Sequence, residues 1–288
     1  MTSRITSRRL LMVAAGMSLL GGAAACKSPW AATATPEGRT EVLVTETPGA
    51  PVPSAAASPT SSSPTPSPAP PSAGPSVAPT VQPVRKALSE AESKPVYDLD
   101  PSQRVVALTI DDGPDPRYTP QVLALLQQHG IRATFFLIGE NAVEHPALVK
   151  EIADRGHHIA NHTWTHPDLR HMSESAVRDE LERTSDLLHR TTGRLPTWFR
   201  APGGDFSPVS LRVAADLGLR NMSWSVDPRD WSRPGTSSII DTVLKDVRPG
   251  SIVLNHDGGG DRSQTVAALK AYLPVLIDSG YLFTAPPN

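Results

Sequence analysis

The chain holds a single cysteine, Cys26, in 288 residues, so no disulfide can close within it. Its formal net charge is only −2, which gives no electrostatic case for a nucleic-acid partner. The apolar run near the N-terminus, Leu10 to Leu20, falls well short of the roughly 20 residues a membrane-spanning helix needs. Large apolar side chains are scarce from Lys27 to about Lys94, where Pro, Ser, Ala and Thr dominate, as in Ser63-Pro64-Thr65-Pro66-Ser67-Pro68-Ala69-Pro70-Pro71. Such a stretch cannot offset its ordering entropy and is expected to be a disordered, extended linker. In polyproline II, at about 3 Å per residue, it would reach on the order of 200 Å when fully stretched.

The first 25 residues carry arginines (Arg4, Arg8, Arg9), then the apolar run, then small residues from Gly21 to Ala25. That order is the pattern of an export signal. Ser7-Arg8-Arg9-Leu10-Leu11 resembles a twin-arginine signal, and paired arginines also occur in ordinary export signals. Cys26 directly follows Ala23-Ala24-Ala25, as in a bacterial lipobox, although the usual leucine three positions before the cysteine is missing. With no disulfide to explain it, lipidation of Cys26 is the favoured reading, and a membrane contact through that lipid follows. Simple cleavage after Ala25 is the alternative. The expected organisation is a signal over 1–25, a linker over 27–96 and a folded domain over 97–288, with an exported product facing the cell wall.

From about Tyr97 onward, short apolar runs alternate with longer segments of helical period, the rhythm of strands and crossover helices. The pattern predicts strands at Val105 to Ile110, Ala133 to Ile138, His158 to Asn161, Trp198 to Arg200, Asn221 to Ser225, Ser251 to Leu254 and Tyr281 to Phe283. It predicts helices at Pro120 to His129, Ala147 to Arg155, Ser173 to Thr192, Pro208 to Leu217, Ser237 to Val247 and Gln264 to Ser279. Seven strands in roughly 190 residues suit a reduced α/β barrel or an open parallel sheet. In either, functional side chains gather beyond the C-terminal ends of strands.

Those ends are where the chemistry-bearing residues fall. Asp111-Asp112-Gly113-Pro114 follows the first strand, and two adjacent carboxylates there are costly unless a cation or hydrogen-bond donors neutralise them. His162-Thr163-Trp164-Thr165-His166 follows the third strand and offers two imidazoles that one tight turn can aim at a single point. Two histidines and a carboxylate with open positions form a catalytic set for Zn²⁺ or another divalent ion, whereas a structural zinc site is closed by four ligands. Arg200-Ala201-Pro202-Gly203-Gly204 follows the fourth strand, where the arginine can orient Asp111 by a charge-assisted hydrogen bond. Gly203 and Gly204 leave backbone N–H groups open to an oxyanion. Asp227-Pro228-Arg229-Asp230-Trp231 and Leu254-Asn255-His256-Asp257 follow the fifth and sixth strands, and a carboxylate beside His256 would keep it able to donate a proton near neutrality.

These five segments, in this order, resemble the motifs of the polysaccharide deacetylases, the NodB-homology or carbohydrate esterase 4 family. The resemblance covers nearly all of Arg104 to Phe283. It implies a distorted (β/α)7 barrel, with Asp112, His162 and His166 as metal ligands, Asp111 as general base and His256 as general acid. It further implies that Arg200 supports Asp111, that Asp230 orients His256, and that Trp231 and Leu254 wall an acetyl pocket. Two positions depart from the family pattern: Ile110 stands where Phe is usual, and Gly203 where an aromatic is common, which opens the groove.

The expected activity is metal-dependent removal of N-acetyl groups from a polysaccharide, peptidoglycan first, by a monomer. An acetyl xylan esterase, another metal-dependent esterase or amidase, and a non-catalytic wall-binding lipoprotein are the competing readings. Trp164, Trp198, Trp224 and Trp231 are candidates for stacking on sugar rings or for barrel packing. His129, His145, His171 and His189 lie away from the motifs, and His157 and His158 are expected in the third strand.

Overall fold

The protein is described here from a computed structural model, over residues 85–286. Cys26, the expected export signal and the linker as far as residue 84 lie outside the described residues. Residues 85–96, assigned above to the linker, pack on the domain: Arg85 pairs with Asp186 at 3.4 Å and the Leu88 N–H donates to the Ala215 carbonyl at 2.9 Å.

Seven strands are present: β1 (Val105–Asp111), β2 (Thr134–Leu137), β3 (His158–Asn161), β4 (Trp198–Phe199), β5 (Arg220–Asn221), β6 (Ile252–His256) and β7 (Leu282–Phe283). The helices are α1 (Thr119–Gln128), α2 (Gly139–Glu144), α3 (Pro146–Asp154), α4 (Glu174–Thr192), α5 (Pro208–Asp216), α6 (Thr236–Asp246) and α7 (Ser263–Asp278). Every pairing between named strands is parallel, in the order β5-β4-β3-β2-β1-β6, while β7 pairs with the start of β1. The curl closes on one point: Val226 bridges Val253 in parallel, its N–H donating to the Ile252 carbonyl at 3.1 Å and its carbonyl accepting from the Leu254 N–H at 2.9 Å. Lower in the gap between β5 and β6, Val96 bridges Met222 and Asp98 bridges Ser251. Of the two arrangements the strand rhythm allows, the curled, reduced α/β barrel that the resemblance implies is the fold, with six strands in the curl and β7 beside it.

Alternation along the staves sorts side chains into two cores. Val106, Leu108 and Ile110 of β1, Phe135 and Leu137 of β2, Ile159 and Val253 face the helices, where they pack with residues such as Val122, Leu126, Ile152, Leu269 and Leu273. Ala107, Phe136, Ala160, Trp198, Met222 and Ile252 form a smaller core of their own on the concave side. The same parity sends Thr109 and Asp111 to the concave side, so that Asp111 sits at its C-terminal rim. All of β1 beyond Val105 is buried, which is why it reads as an almost unbroken apolar run.

Some elements differ from expectation. The short helix α2 is additional; only six residues long, it carries too little periodicity to register. The fifth strand is two residues rather than five, because beyond Asn221 the chain turns to make the bridge that closes the curl. Ser173 caps α4, accepting from the Ala176 N–H, and Gly193 ends it in a left-handed conformation at φ 72°. No helix among the described residues is long and apolar enough to cross a membrane.

Candidate active site

Strand parity alone would point Asp111 and Asp112 to opposite faces. Asp112 escapes that rule by adopting φ 71°, a left-handed conformation rare for a residue with a side chain, and both carboxylates line one cavity of about 350 Å³. Thr163 and His166 also have positive φ, 69° and 57°, so the turn that follows β3 carries strain of the same kind. That turn is held from outside by Glu180 of α4. Its carboxylate accepts from the Trp164 N–H at 2.7 Å, the Thr165 N–H at 2.8 Å and the Thr165 hydroxyl at 3.0 Å.

Asp111 is buried and receives the Arg200 guanidinium at 2.7 Å. Arg200 is itself buried inside the curl. Its Nη1 also donates to Thr109 Oγ1 at 2.8 Å, its Nε to the Met222 carbonyl at 3.1 Å and its Nη2 to the Ser223 carbonyl at 2.8 Å. Phe136 lies 4.2 Å beneath its guanidinium carbon. A buried cation with so many partners cannot rotate freely, so the direction of Asp111 is fixed by the barrel interior.

Asp112 meets the two histidines. Its Oδ1 lies 3.4 Å from His162 Nε2 and 3.3 Å from His166 Nε2, is buried, and has no hydrogen-bond donor. His162 Nδ1 stands 2.7 Å from the Arg200 carbonyl, a contact that requires the proton on Nδ1 and leaves the Nε2 lone pair for the site. The ligand atoms of Asp112, His162 and His166 all lie within 4.8 Å of one another, a donor set that fits a metal ion. Burial works to raise the Asp112 carboxyl, but His162, then His256 and His166, hold it down at about 2. Burial, followed by the charge of His162, lowers the His166 imidazole, favouring the neutral ligand form.

Across the cavity, His256 Nδ1 is 2.7 Å from Asp230 Oδ1. The second oxygen of Asp230 accepts from the His256 N–H and from the Thr265 hydroxyl, both at 2.8 Å. Burial alone would lower the His256 imidazole. The Asp230 bond and charge, with the charges of Asp111 and Asp112, outweigh it and raise the group to about 9. Leu254, Trp231, Trp224, Ala201, Gly203 and Asp227 complete the lining. A buried carboxylate paired with Arg200 and an imidazole paired with Asp230 thus face the Asp112–His162–His166 cluster across one cavity.

The chain is similar to proteins of one family. A family model described as polysaccharide deacetylase matches residues 98–222. A peptidoglycan-N-acetylglucosamine deacetylase of Bacillus cereus is 43% identical over 184 residues, spanning 63% of this chain and 86% of that relative. The chain belongs to the polysaccharide deacetylase family. A chitooligosaccharide deacetylase of Sinorhizobium fredii is 44% identical over 194 residues, covering 64% of this chain and 90% of the relative. Among solved structures, a peptidoglycan N-acetylglucosamine deacetylase in complex with 4-naphthalen-1-yl-N-oxidanyl-benzamide superposes with a TM-score of 0.64. It is 38% identical, over 65% of this chain and 88% of that one.

The nine residues to which the resemblance gives roles, together with Gly203, lie in or against this one cavity, whereas Gly204 does not line it. Arg200 and Asp230 stand behind its wall; the other eight line it. Of the four tryptophans, only Trp224 and Trp231 reach it. Trp198 is buried in the concave core, and Trp164 packs over Gly139 beneath Arg183. His157 is a core residue lowered to about 4 by burial, then by Arg155 and Arg132. Glu180, Thr265, Arg262 and the part Asp257 plays emerge only from the structure. Asp257, pushed up to about 7 by burial, accepts from the Thr119 hydroxyl at 2.7 Å and abuts Gly113. A lone polar residue in a helix or loop carries no local signal of what it will touch.

A raised folded pKa means that the His256 contribution to stability is full below about 6.5, its ordinary value, and is lost as pH rises through about 9. Denaturant unfolding of metal-free protein should therefore show stability falling between those limits, and Asp230→Asn should flatten that fall. An unchanged slope in the variant would show that Asp230 does not control His256.

Proposed function

We propose that the protein hydrolyses N-acetyl groups on a cell-wall polysaccharide, with peptidoglycan as its substrate, using a divalent ion held by Asp112, His162 and His166. The observation that carries this reading is the pairing of opposed proton carriers across one cavity: Asp111, fixed by Arg200, and His256, kept protonated by Asp230. Two imidazoles and a carboxylate suit zinc. When bound, such an ion supplies Lewis-acid activation of a water and of the acetyl carbonyl.

The protein's own groups do the rest. Asp111 takes the proton of the attacking water as its oxygen adds to the acetyl carbon. His256 gives its proton to the sugar nitrogen as the carbon–nitrogen bond breaks, releasing acetate and a free amine. An amide needs that donation because an unprotonated amine leaves poorly. Trp231 and Leu254 enclose the acetyl methyl, and Gly203, which lines the cavity, is the backbone donor for the oxyanion. A second hollow of about 630 Å³, lined by His166, Arg170, Gly203 and Phe206 among others, adjoins the first and gives a chain of sugars somewhere to lie.

Acetate release from peptidoglycan, chitooligosaccharide and acetylxylan tests this directly. Peptidoglycan is expected to be the best of the three; preference for acetylxylan would make the protein an esterase, and release from none by metal-loaded protein would refute deacetylation. Asp112→Ala should abolish tight metal binding. His256→Ala should retain the metal yet lose amide turnover by roughly 10²-fold or more. Metal retained at full stoichiometry in the first, or unchanged turnover in the second, would remove that residue from its role.

The export signal, Cys26 and the Pro-rich linker support placement on the outer face of the membrane, with the domain tethered by a lipid. Labelled palmitate should be incorporated by the expressed chain and not by Cys26→Ser; equal labelling of both would exclude this anchor.

A further inference from the structure

Arg262, at the start of α7, is a buried arginine that the mechanism above does not use. Its Nε donates to the Gly258 carbonyl at 2.6 Å, its Nη1 to the Trp231 carbonyl at 3.2 Å and its Nη2 to the Gly259 carbonyl at 3.1 Å. Its one carboxylate neighbour within ion-pair reach among the described residues is Asp112, with Nη2 3.8 Å from Oδ2. A buried guanidinium held mostly by neutral carbonyls is left with Asp112 as its counter-charge.

The two oxygens of Asp112 are thereby divided. Oδ1 faces His162 and His166, whereas Oδ2 faces Arg262. The loop after β6 is shaped to make this approach. A Cβ on Gly258 would lie 2.1 Å from the Asp112 carbonyl oxygen, and one on Gly259 only 2.8 Å from Asp112 Oδ2. Glycine at both positions lets the loop and the guanidinium close on the ligand. The same guanidinium grips the backbone of Trp231, so the ligand and the pocket wall share one anchor.

We infer that Arg262 is a positioning residue that reserves Oδ2 of Asp112, so that Asp112 gives the ion a single oxygen and leaves a coordination position for water and substrate. This rests on the reading that Asp112, His162 and His166 hold the ion. It assigns to Arg262 the control of how Asp112 ligates, and hence of how strongly the ion can polarise what it binds. A purely structural arginine would only lash the loop together, and losing it would loosen the site.

The two roles predict opposite results for the full-length chain loaded with Co²⁺. In Arg262→Gln, the freed Oδ2 and the lost nearby cation should raise cobalt affinity by about tenfold or more, measured against a competing chelator. The visible bands should weaken as coordination number rises, while amide turnover falls. Arg262→Lys, which keeps a cation opposite Oδ2, should stay near the unmutated affinity and spectrum. Weaker or unchanged affinity in folded Arg262→Gln would overturn the inference. If that variant does not fold, the unmutated chain decides. Its metal-minus-apo infrared difference should show the wide carboxylate splitting of one-oxygen ligation, and the narrow splitting of a two-oxygen ligand would overturn the proposal. Asp112→Ala with cobalt binding unaltered would instead bring down the metal-site reading on which it rests.

Discussion

Two carboxylates side by side at the buried end of one strand are the constraint around which this domain is arranged. Asp111 and Asp112 are 2% and 8% exposed, a degree of burial that would be prohibitive for adjacent ionised groups without compensating charge. Each has its own arginine, Arg200 at 2.7 Å from Asp111 and Arg262 at 3.8 Å from Asp112, and the two histidines face the remaining oxygen. Much of the barrel interior follows from that need. Thr109, Met222, Ser223 and Phe136 surround Arg200 so that it can bring its charge to Asp111 from within the concave core. The left-handed backbone at Asp112 turns the second carboxylate into the same cavity, and the glycines after β6 let the other cation reach it.

The division of labour between the aspartates comes from these surroundings. Asp111 is tied to a cation that cannot leave, which suits a base that must return to its starting position. Asp112 keeps one buried oxygen without a donor, which suits a ligand. On the opposite wall, Asp230 spends one oxygen on the His256 ring and the other on the His256 backbone and Thr265, so the imidazole is oriented as well as charged. Three strained residues, Asp112, Thr163 and His166, lie within this small region, and such strain persists only where surrounding contacts over-determine it. Glu180 is the clearest of those contacts, since it binds the turn after β3 through three donors.

The parts legible in the sequence were those with a local signature. Buried strands read as apolar runs, helices as periodic segments, and the motif residues fell at strand ends because parallel α/β folds concentrate their loops there. What stayed illegible depends on contacts distant in the chain. Nothing near Val226 announces that it will close the curl against Val253, and nothing near Arg262 announces Asp112, 150 positions earlier. The tryptophans show the limit well: four stood near strand ends, yet Trp198 fills the core and Trp164 covers α2, because the side-chain direction is set by packing rather than by position. The packed edge of the domain likewise lay earlier than composition suggested, because Arg85 and Leu88 gain partners on α4 and α5 that a polar stretch does not foretell.

The central claim is that one aspartate of the pair is a ligand and the other a base. Anomalous diffraction from crystals of the zinc-loaded protein measures this most directly. The account predicts one ion bonded to Asp112 Oδ1, His162 Nε2 and His166 Nε2, with Asp111 off the metal and still paired with Arg200. An ion bonded to Asp111, or placed outside the Asp112–His162–His166 cluster, would contradict it.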